Sequence, residues 1–246
     1  MNEKHGSPHL FWGLFALALA IVVASWLGAG ALKQIKLAND AITVTGSAKK
    51  SVRSDYIVWQ GAVSSQKPSL QDAYREVSRY SERLRSYFSS NQIPDSSVSF
   101  KPVQTMTLME YTSDGRMTGR ISAYQLRQPF EIRSDQVDRI TELSGSAAEL
   151  INEGVVLESY SPQYLYTRLS EVRSEILAEA AADARRRAES IAGSVGSRVG
   201  AIRSARMGVF QVTARNSTDV SDYGMYDTMA LEKDITAVVS ITFAVR

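Results

Sequence analysis

No cysteine occurs among the 246 residues, which excludes a disulfide framework, a thiolate nucleophile, a Cys-ligated zinc and a thioether-linked lipid. Histidine is almost as scarce. His5 and His9 are the only two, and both precede the first long apolar run. The rest of the chain therefore has no imidazole for a Ser-His-Asp triad or a His-rich zinc site. Neither sign of charge dominates: 28 basic residues stand against 26 acidic ones. That near neutrality argues against nucleic acid as a partner. No Pro/Gly/Ser linker divides the chain after residue 40, so those residues make one sizeable domain or two small ones sharing a core.

One stretch has no charge at all. Leu10 to Leu32 runs for 23 positions without Asp, Glu, Lys, Arg or His. At about 1.5 Å per residue a helix of that length covers roughly 34 Å, enough for a hydrocarbon core of about 30 Å. The chain is thus expected to comprise a tail over residues 1–9, a transmembrane signal anchor over 10–32, a juxtamembrane linker over 33–40 and a body over 41–246. Leu10 and Leu32 bound the anchor, Leu19 lies near its middle, and Trp12 and Trp26 suit the two interfaces. Flanking charge specifies orientation weakly, since Lys4 is offset by Glu3 while Lys33 and Lys36 follow the run. A short tail before one apolar segment favours a cytoplasmic tail and an exported body. Ala29-Gly30-Ala31 also reads as a small-residue cleavage site, which keeps a removable signal peptide open. A buried core helix is the third reading.

The body mixes the two hydrophobic periods. Ala41–Ser47 and Asp55–Ser64 read as strands. Ser69 to Ser89 reads as a helix with Leu70, Ala73, Tyr74, Val77, Leu84, Tyr87 and Phe88 on one face and Ser69 as its N-cap. Val98–Tyr111 and Ile121–Arg133 flank Ser113-Asp114-Gly115-Arg116, a hairpin signal. Helical spacing returns over Asp135–Asn152, strand-like residues over Val155–Thr167, and a third helix over Glu171–Ala192. That helix carries Val172, Ile176, Ala180, Ala184, Ala188, Ile191 and Val195 along a stripe whose small residues permit close approach. A strand over Arg203–Arg215, a polar stretch over Asn216–Asp234 and an alternating strand over Ile235–Val245 complete the chain. The expected class is α+β: an N-terminal transmembrane helix, then a mixed, largely antiparallel sheet packed with about three helices.

Candidate sites are few, and most have a plain structural alternative. Asp219, Asp222 and Asp227 supply hard oxygen ligands without calcium-loop spacing, so a solvated loop is the simpler reading. Gly193, Gly196 and Gly200 follow a helix instead of opening one, which makes them a C-cap and turn and not a phosphate loop. Arg185, Arg186 and Arg187 fan out by about 100° each and suit ion pairs along a solvated helix face. Tyr160, Tyr164 and Tyr166 share a strand face if the strand is regular, as core, subunit contact or stacking platform. Val209, Phe210, Met225 and Tyr226 place large apolar groups in or beside a long polar connection, where something must cover them. Together with Tyr164 and Tyr166 they form the expected subunit or partner contact. No catalytic, cofactor or metal residues are assigned.

Several segments together resemble a known family. Ile42-Thr43-Val44-Thr45-Gly46, the Asp55-initiated strand, Phe100-Lys101-Pro102, Ser161-Pro162-Gln163-Tyr164 and the run from Ala180 to Ala192 followed by Gly196 and Gly200 are similar to the SIMPL family, also called DUF541. The resemblance runs from about Ala41 to the C-terminus. It implies a cell-envelope protein of the kind found in Gram-negative bacteria, sometimes linked to oxidative stress, with some members assembling into rings or channels. No agreed catalytic residues come with it.

The expected function is accordingly non-enzymatic: an inner-membrane, single-pass protein whose periplasmic body self-associates into a ring-like or scaffold oligomer. Its partners are then the lipid bilayer, further copies of itself and an envelope protein, without nucleic acid or cofactor. The alternatives are a periplasmic binding module for a peptide, glycan or small ligand and, least of all, a hydrolase using Glu110, Asp114 or Asp135. The seven Met residues form no cluster that would mark a dedicated oxidant scavenger.

Overall fold

The computed structural model describes Trp12, Gly13, Phe15, residues 17–25 and residues 40–246. Leu10, Trp26, Leu32 and residues 33–39 of the linker lie outside the described residues. Trp12 and Leu19 are helical and exposed, and Trp12 packs edge-on against Phe15 with ring centroids 6.2 Å apart. Among the described residues no helix is long and apolar enough to cross a membrane.

Two compact units account for the described chain. One takes the residues up to Ala48 with Leu177–Gly208 and Ala237–Arg246; the other takes Lys49–Ile176 and Val209–Thr236. Both are mixed α and β, and every strand pairing with a stated register is antiparallel except one.

The larger unit is built on β2 (Tyr56–Lys67) and β5 (Met117–Ser134), paired from Ile57↔Ser134 to Lys67↔Tyr124. β3 (Val98–Phe100) and β4 (Gln104–Tyr111) follow one another along the far side of β5. β6 (Leu157–Ser159) and β7 (Gln163–Leu165) do the same on the far side of β2. Helix α1 (Leu70–Ser90) lays Ala73, Val77, Leu84 and Phe88 on this sheet. Trp59, Phe88 and Phe130 form the centre, with Trp59 edge-on to both partners at 5.9 and 5.3 Å. The Trp59 indole N–H, otherwise an orphan donor in that core, reaches Ser159 Oγ at 3.1 Å. α2 (Val137–Ser146) and α3 (Glu149–Asn152) close the same core through Ile140, Leu143 and Leu150.

Four expected elements come out divided, among them the stretch Val155–Thr167, which becomes β6 and β7. The helix expected over Asp135–Asn152 breaks at Ala147-Ala148, where Ser144 and Ser146 hydroxyls bond back to the carbonyls of Thr141, Glu142 and Leu143 and compete with the helical ladder. The long strand before the hairpin is interrupted at residues 101–103, where Pro102 offers no N–H. The final body thus has four helices instead of about three. Ser69 takes the extended N-cap conformation, but its hydroxyl meets Gln71 Oε1 and caps no backbone N–H.

The smaller unit contains the start of β1 (Ala41–Arg53), most of α4 (Leu169–Ser194), β8 (Val199–Met207) and the second half of β11 (Glu232–Val245). β8 pairs with β11 from Val239↔Met207 to Val245↔Val199. Its core sets Val44, Val239, Ile241 and Phe243 against Ala180, Ala184 and Ala188. The expected stripe on this helix ends differently, since Ala192 is buried while Ile191 and Val195 face solvent. At the helix end Ser197 N–H bonds the Ala192 carbonyl at 2.9 Å and Gly196 takes φ +75°, so Gly196 fills the expected C-cap role, while Gly193 lies within the helix and Gly200 within β8.

The strand expected over Arg203–Arg215 is also two strands. β9 (Gln211–Ala214) belongs to the larger unit, pairing with the first residues of β11 and, in parallel, with β10 (Met225–Tyr226). β11 itself begins at Glu232, three residues earlier than its alternation suggested.

Candidate functional site

The six contact residues expected from sequence do not form one surface. Tyr164 is half-buried against the aromatic core, with its main-chain N–H on the Thr228 carbonyl at 2.7 Å and its hydroxyl 3.2 Å from Thr141 Oγ1. Tyr166 is only 8% exposed. The Tyr226 hydroxyl accepts the Tyr166 N–H at 2.8 Å and donates to the Tyr166 carbonyl at 3.0 Å, so one phenol satisfies both main-chain groups of that residue. Met225 is half-buried in β10, and Phe210 lies beneath the Arg173 guanidinium at 5.4 Å. Of the six, Val209 and Tyr226 are exposed, at 42% and 40%. What covers these groups is in good part the chain itself: Tyr226 holds the main chain of Tyr166, and the Tyr164 N–H holds Thr228 in the loop that precedes β11.

Period-two geometry across Tyr160, Tyr164 and Tyr166 also fails, because the extended stretch breaks at residues 160–162 around Pro162. Tyr160 goes to a different neighbourhood, where its hydroxyl receives Arg127 Nη2 at 2.8 Å beside the Arg127–Glu158 pair. The three rings are separate internal contacts and no stacking platform.

The loop itself is held by charge. Asp227 accepts the N–H groups of Met229 and Ala230 at 3.1 and 2.7 Å, and Lys233 Nζ lies 3.2 Å from the same carboxylate. Lys233 is wholly sequestered and also donates to the carbonyls of Asp227 and Ala230. Burial pushes its ammonium below its ordinary pKa, against the opposing pull of Asp227. Asp219 turns away to the Ser217 hydroxyl. Among the described residues no group of three or more His, Cys, Asp or Glu is placed to hold a metal ion.

Asp234 is nearly as buried as its neighbour. Burial works to raise its pKa, yet Ser51 Oγ at 2.7 Å, the Asn216 N–H at 3.0 Å and Lys49 Nζ at 3.3 Å outweigh it and hold the carboxyl below its ordinary value of 3.8. A carboxylate with a lowered folded pKa adds stability above its unfolded pKa, and that stability is lost as pH falls through the folded one. Denaturant midpoints are therefore expected to drop on acidification below about pH 4. Asp234→Asn should cost about 1–2 kcal/mol at pH 7 and flatten that acid slope, as urea melts from pH 7 to pH 3 would show. An unchanged slope in the variant would remove Asp234 from the acid transition.

Glu110, Asp114 and Asp135 are not brought together as a catalytic pair. Glu110 receives the Thr118 hydroxyl at 3.0 Å near the hairpin tip, Asp114 lies in the turn, and Asp135 follows the far end of β5. The three arginines behave as expected of a solvated face: Arg185 pairs with Glu189 at 2.9 Å, and Arg186 and Arg187 reach Asp183 at 3.3 and 2.8 Å.

The most unusual surface is one that the residue patterns did not single out. β5 continues beyond the end of β2, so that residues 117–123 are paired with β4 alone. This two-stranded arm exposes Met109 (40%), Tyr111 (61%), Met117 (62%) and Ile121 (48%), and Met106 (61%) adjoins it at the base, opposite Gln125. At its base, where Thr105 opposes Leu126, an open groove of about 870 Å³ is lined by Leu70, Tyr74, Arg75, Val103, Thr105 and Leu126. A signal was present in the sequence: the extended stretches around Asp114-Gly115 are longer than the strand that has to cover them, and they contain little charge.

Comparison with known proteins agrees with the sequence resemblance. The family profile of SIMPL, described as a protein of unknown function (DUF541), matches residues 42–243. No curated protein gives a significant match. Among solved structures, an uncharacterized conserved protein from Listeria innocua aligns with 78% of this chain and 92% of its own, at 10% identity and a TM-score of 0.22.

Proposed function

The chain belongs to the SIMPL family, whose profile spans residues 42–243, and from that premise we propose that it is a non-catalytic envelope protein that works by self-association. The observation that carries this reading is the concentration of exposed apolar side chains on the arm, a surface that single copies in water leave uncovered. The uncharged run from Leu10 to Leu32 supports an inner-membrane anchor with the body in the periplasm. Stress protection then follows indirectly, from an assembled scaffold in the envelope and not from a reaction.

Light scattering coupled to size exclusion, on the full chain in mild detergent, is expected to give a defined oligomer. Strict monomers at micromolar concentration would overturn the self-association. The anchor has its own test, because the full chain is expected to stay with membranes through alkaline carbonate washing. Release into the soluble fraction would overturn it.

A further inference from the structure

The arm has an outer edge as well as an exposed face. β4 pairs with β5 on one side, and among the described residues no strand pairs with its other side. Such an edge offers a row of main-chain donors and acceptors to any extended chain. Folded proteins usually blunt it by shortness, charge, proline or a bulge. The other edges of this sheet follow that rule: β3, β6 and β7 are three residues each, with Pro102 and Pro162 close by. β4 does not. Its eight residues, Gln104 to Tyr111, contain one charge, Glu110, and neither proline nor glycine. The irregular register falls between β4 and β5, where Gly119 takes φ +74° on the inner partner, and the outer edge stays regular in composition.

We infer that this edge is the self-association contact: β4 of one copy pairs antiparallel with β4 of a second, related by a two-fold axis. The inference rests on the self-association reading above and names the element that performs it. Three features select a second copy over another strand. The charges of the arm, Glu110, Asp114, Arg116 and Arg120, sum to zero, so the arm presents no field that would draw a strongly charged partner. The edge is self-complementary as well. When Leu108 of one copy faces Leu108 of the other, as a two-fold axis through the strand pair requires of some residue, the lone Glu110 falls opposite Met106 and meets no like charge. Finally, the five exposed side chains offer roughly 500 Å² per copy before any main chain is counted, a large part of the about 800 Å² per partner of a standard interface. The groove beside Thr105 gives the incoming strand a place to seat apolar side chains.

The test uses the full chain in mild detergent and the double variant Met106→Lys, Met109→Lys, since lysine is how natural edges refuse a partner strand. Both positions are exposed, so the thermal midpoint should stay within a few degrees of the parent. The expected result is a parent oligomer whose mass falls at least two-fold in the variant. A variant that keeps the parent mass would overturn the arm as the contact and leave self-association standing. A monomeric parent would overturn both, and would give the edge to a foreign strand. The absence of native cysteine allows a second measurement. Met109→Cys is then the sole thiol, and a short bismaleimide should link it into dimers at least five-fold more than it links Val195→Cys, a control with 74% exposure in the parent. Equal linking would also overturn the contact.

Discussion

Gly46→Val is expected to leave the chain largely unfolded at 25 °C, with a loss of about 4 kcal/mol or more in any fraction that still folds. A Cβ at this position would stand 2.3 Å from the Ala180 carbonyl oxygen, 2.3 Å from the Ala184 nitrogen and 2.7 Å from the Ala184 Cα. Those are main-chain atoms of α4, so no rotamer change relieves the overlap. Either β1 or the helix must move, and moving either opens the core of Val44, Ala184, Ile241 and Phe243. A second bond depends on the same approach. The Ser47 N–H donates to Asp183 Oδ2 at 3.0 Å, which together with Arg187 and Arg186 holds that carboxyl below its ordinary pKa. Ala184→Leu attacks the contact from the helix side and should cost about 3 kcal/mol. Gly145→Ala is the contrasting case, a helical glycine whose added Cβ meets nothing within 4 Å. It should gain about 0.5–1 kcal/mol. Urea melts of the three variants decide it, and a parent-like midpoint for Gly46→Val would refute the close packing of β1 on α4.

That contact shows what kind of information a single sequence carries. The four-residue repeat of Ala180, Ala184 and Ala188 announces a helix that something must approach closely, and Gly46 sits in a strand with a matching lack of bulk. Both halves were legible, and only their pairing, 134 residues apart or more, was not. The hairpin at Asp114-Gly115, most of the amphipathic face of α1 and the C-cap at Gly196 were legible for the same reason, each being decided within one turn or one helix, although Leu70 and Tyr74 of that face are exposed and Tyr80 is buried in their place. Interruptions were not. Ser144 and Ser146 compete for carbonyls inside their own helix, which the hydrophobic period does not report, and the strand stopping between β8 and β9 depends on what lies opposite. The contact residues suffered most. Tyr166 and Tyr226 were rightly marked as needing cover, but a phenol that satisfies main-chain groups 60 residues away is a tertiary fact. The arm was missed because exposure cannot be read from alternation when both faces are wet.

Lys233→Met is expected to lower stability by about 2–4 kcal/mol. The position continues the buried parity of Ile235, Ala237, Val239, Ile241 and Phe243, so the strand places a lysine where the pattern calls for a hydrophobe. The cost of burying an ammonium is met by three acceptors at once: the Asp227 carbonyl at 2.7 Å, the Ala230 carbonyl at 2.5 Å and Asp227 Oδ1 at 3.2 Å. Methionine fills the volume and abandons all three, leaving two carbonyls and a carboxylate without their donor. The loop at 227–230 should loosen with it, and hydrogen exchange at Met229 and Ala230, whose N–H groups depend on Asp227, should speed up at least ten-fold. The pH dependence carries its own sign. Burial lowers the folded pKa below the ordinary 10.5, so between the two values the unfolded chain binds more protons than the folded one. Stability from this group therefore rises with pH across that window, the reverse of a lysine that gains a partner at the surface. The difference in unfolding free energy between parent and variant should widen as pH is raised from 8 towards 10.5. A difference that is constant with pH would mean that the ammonium is no worse solvated in the fold than in water. No difference at all would mean that the three contacts are dispensable.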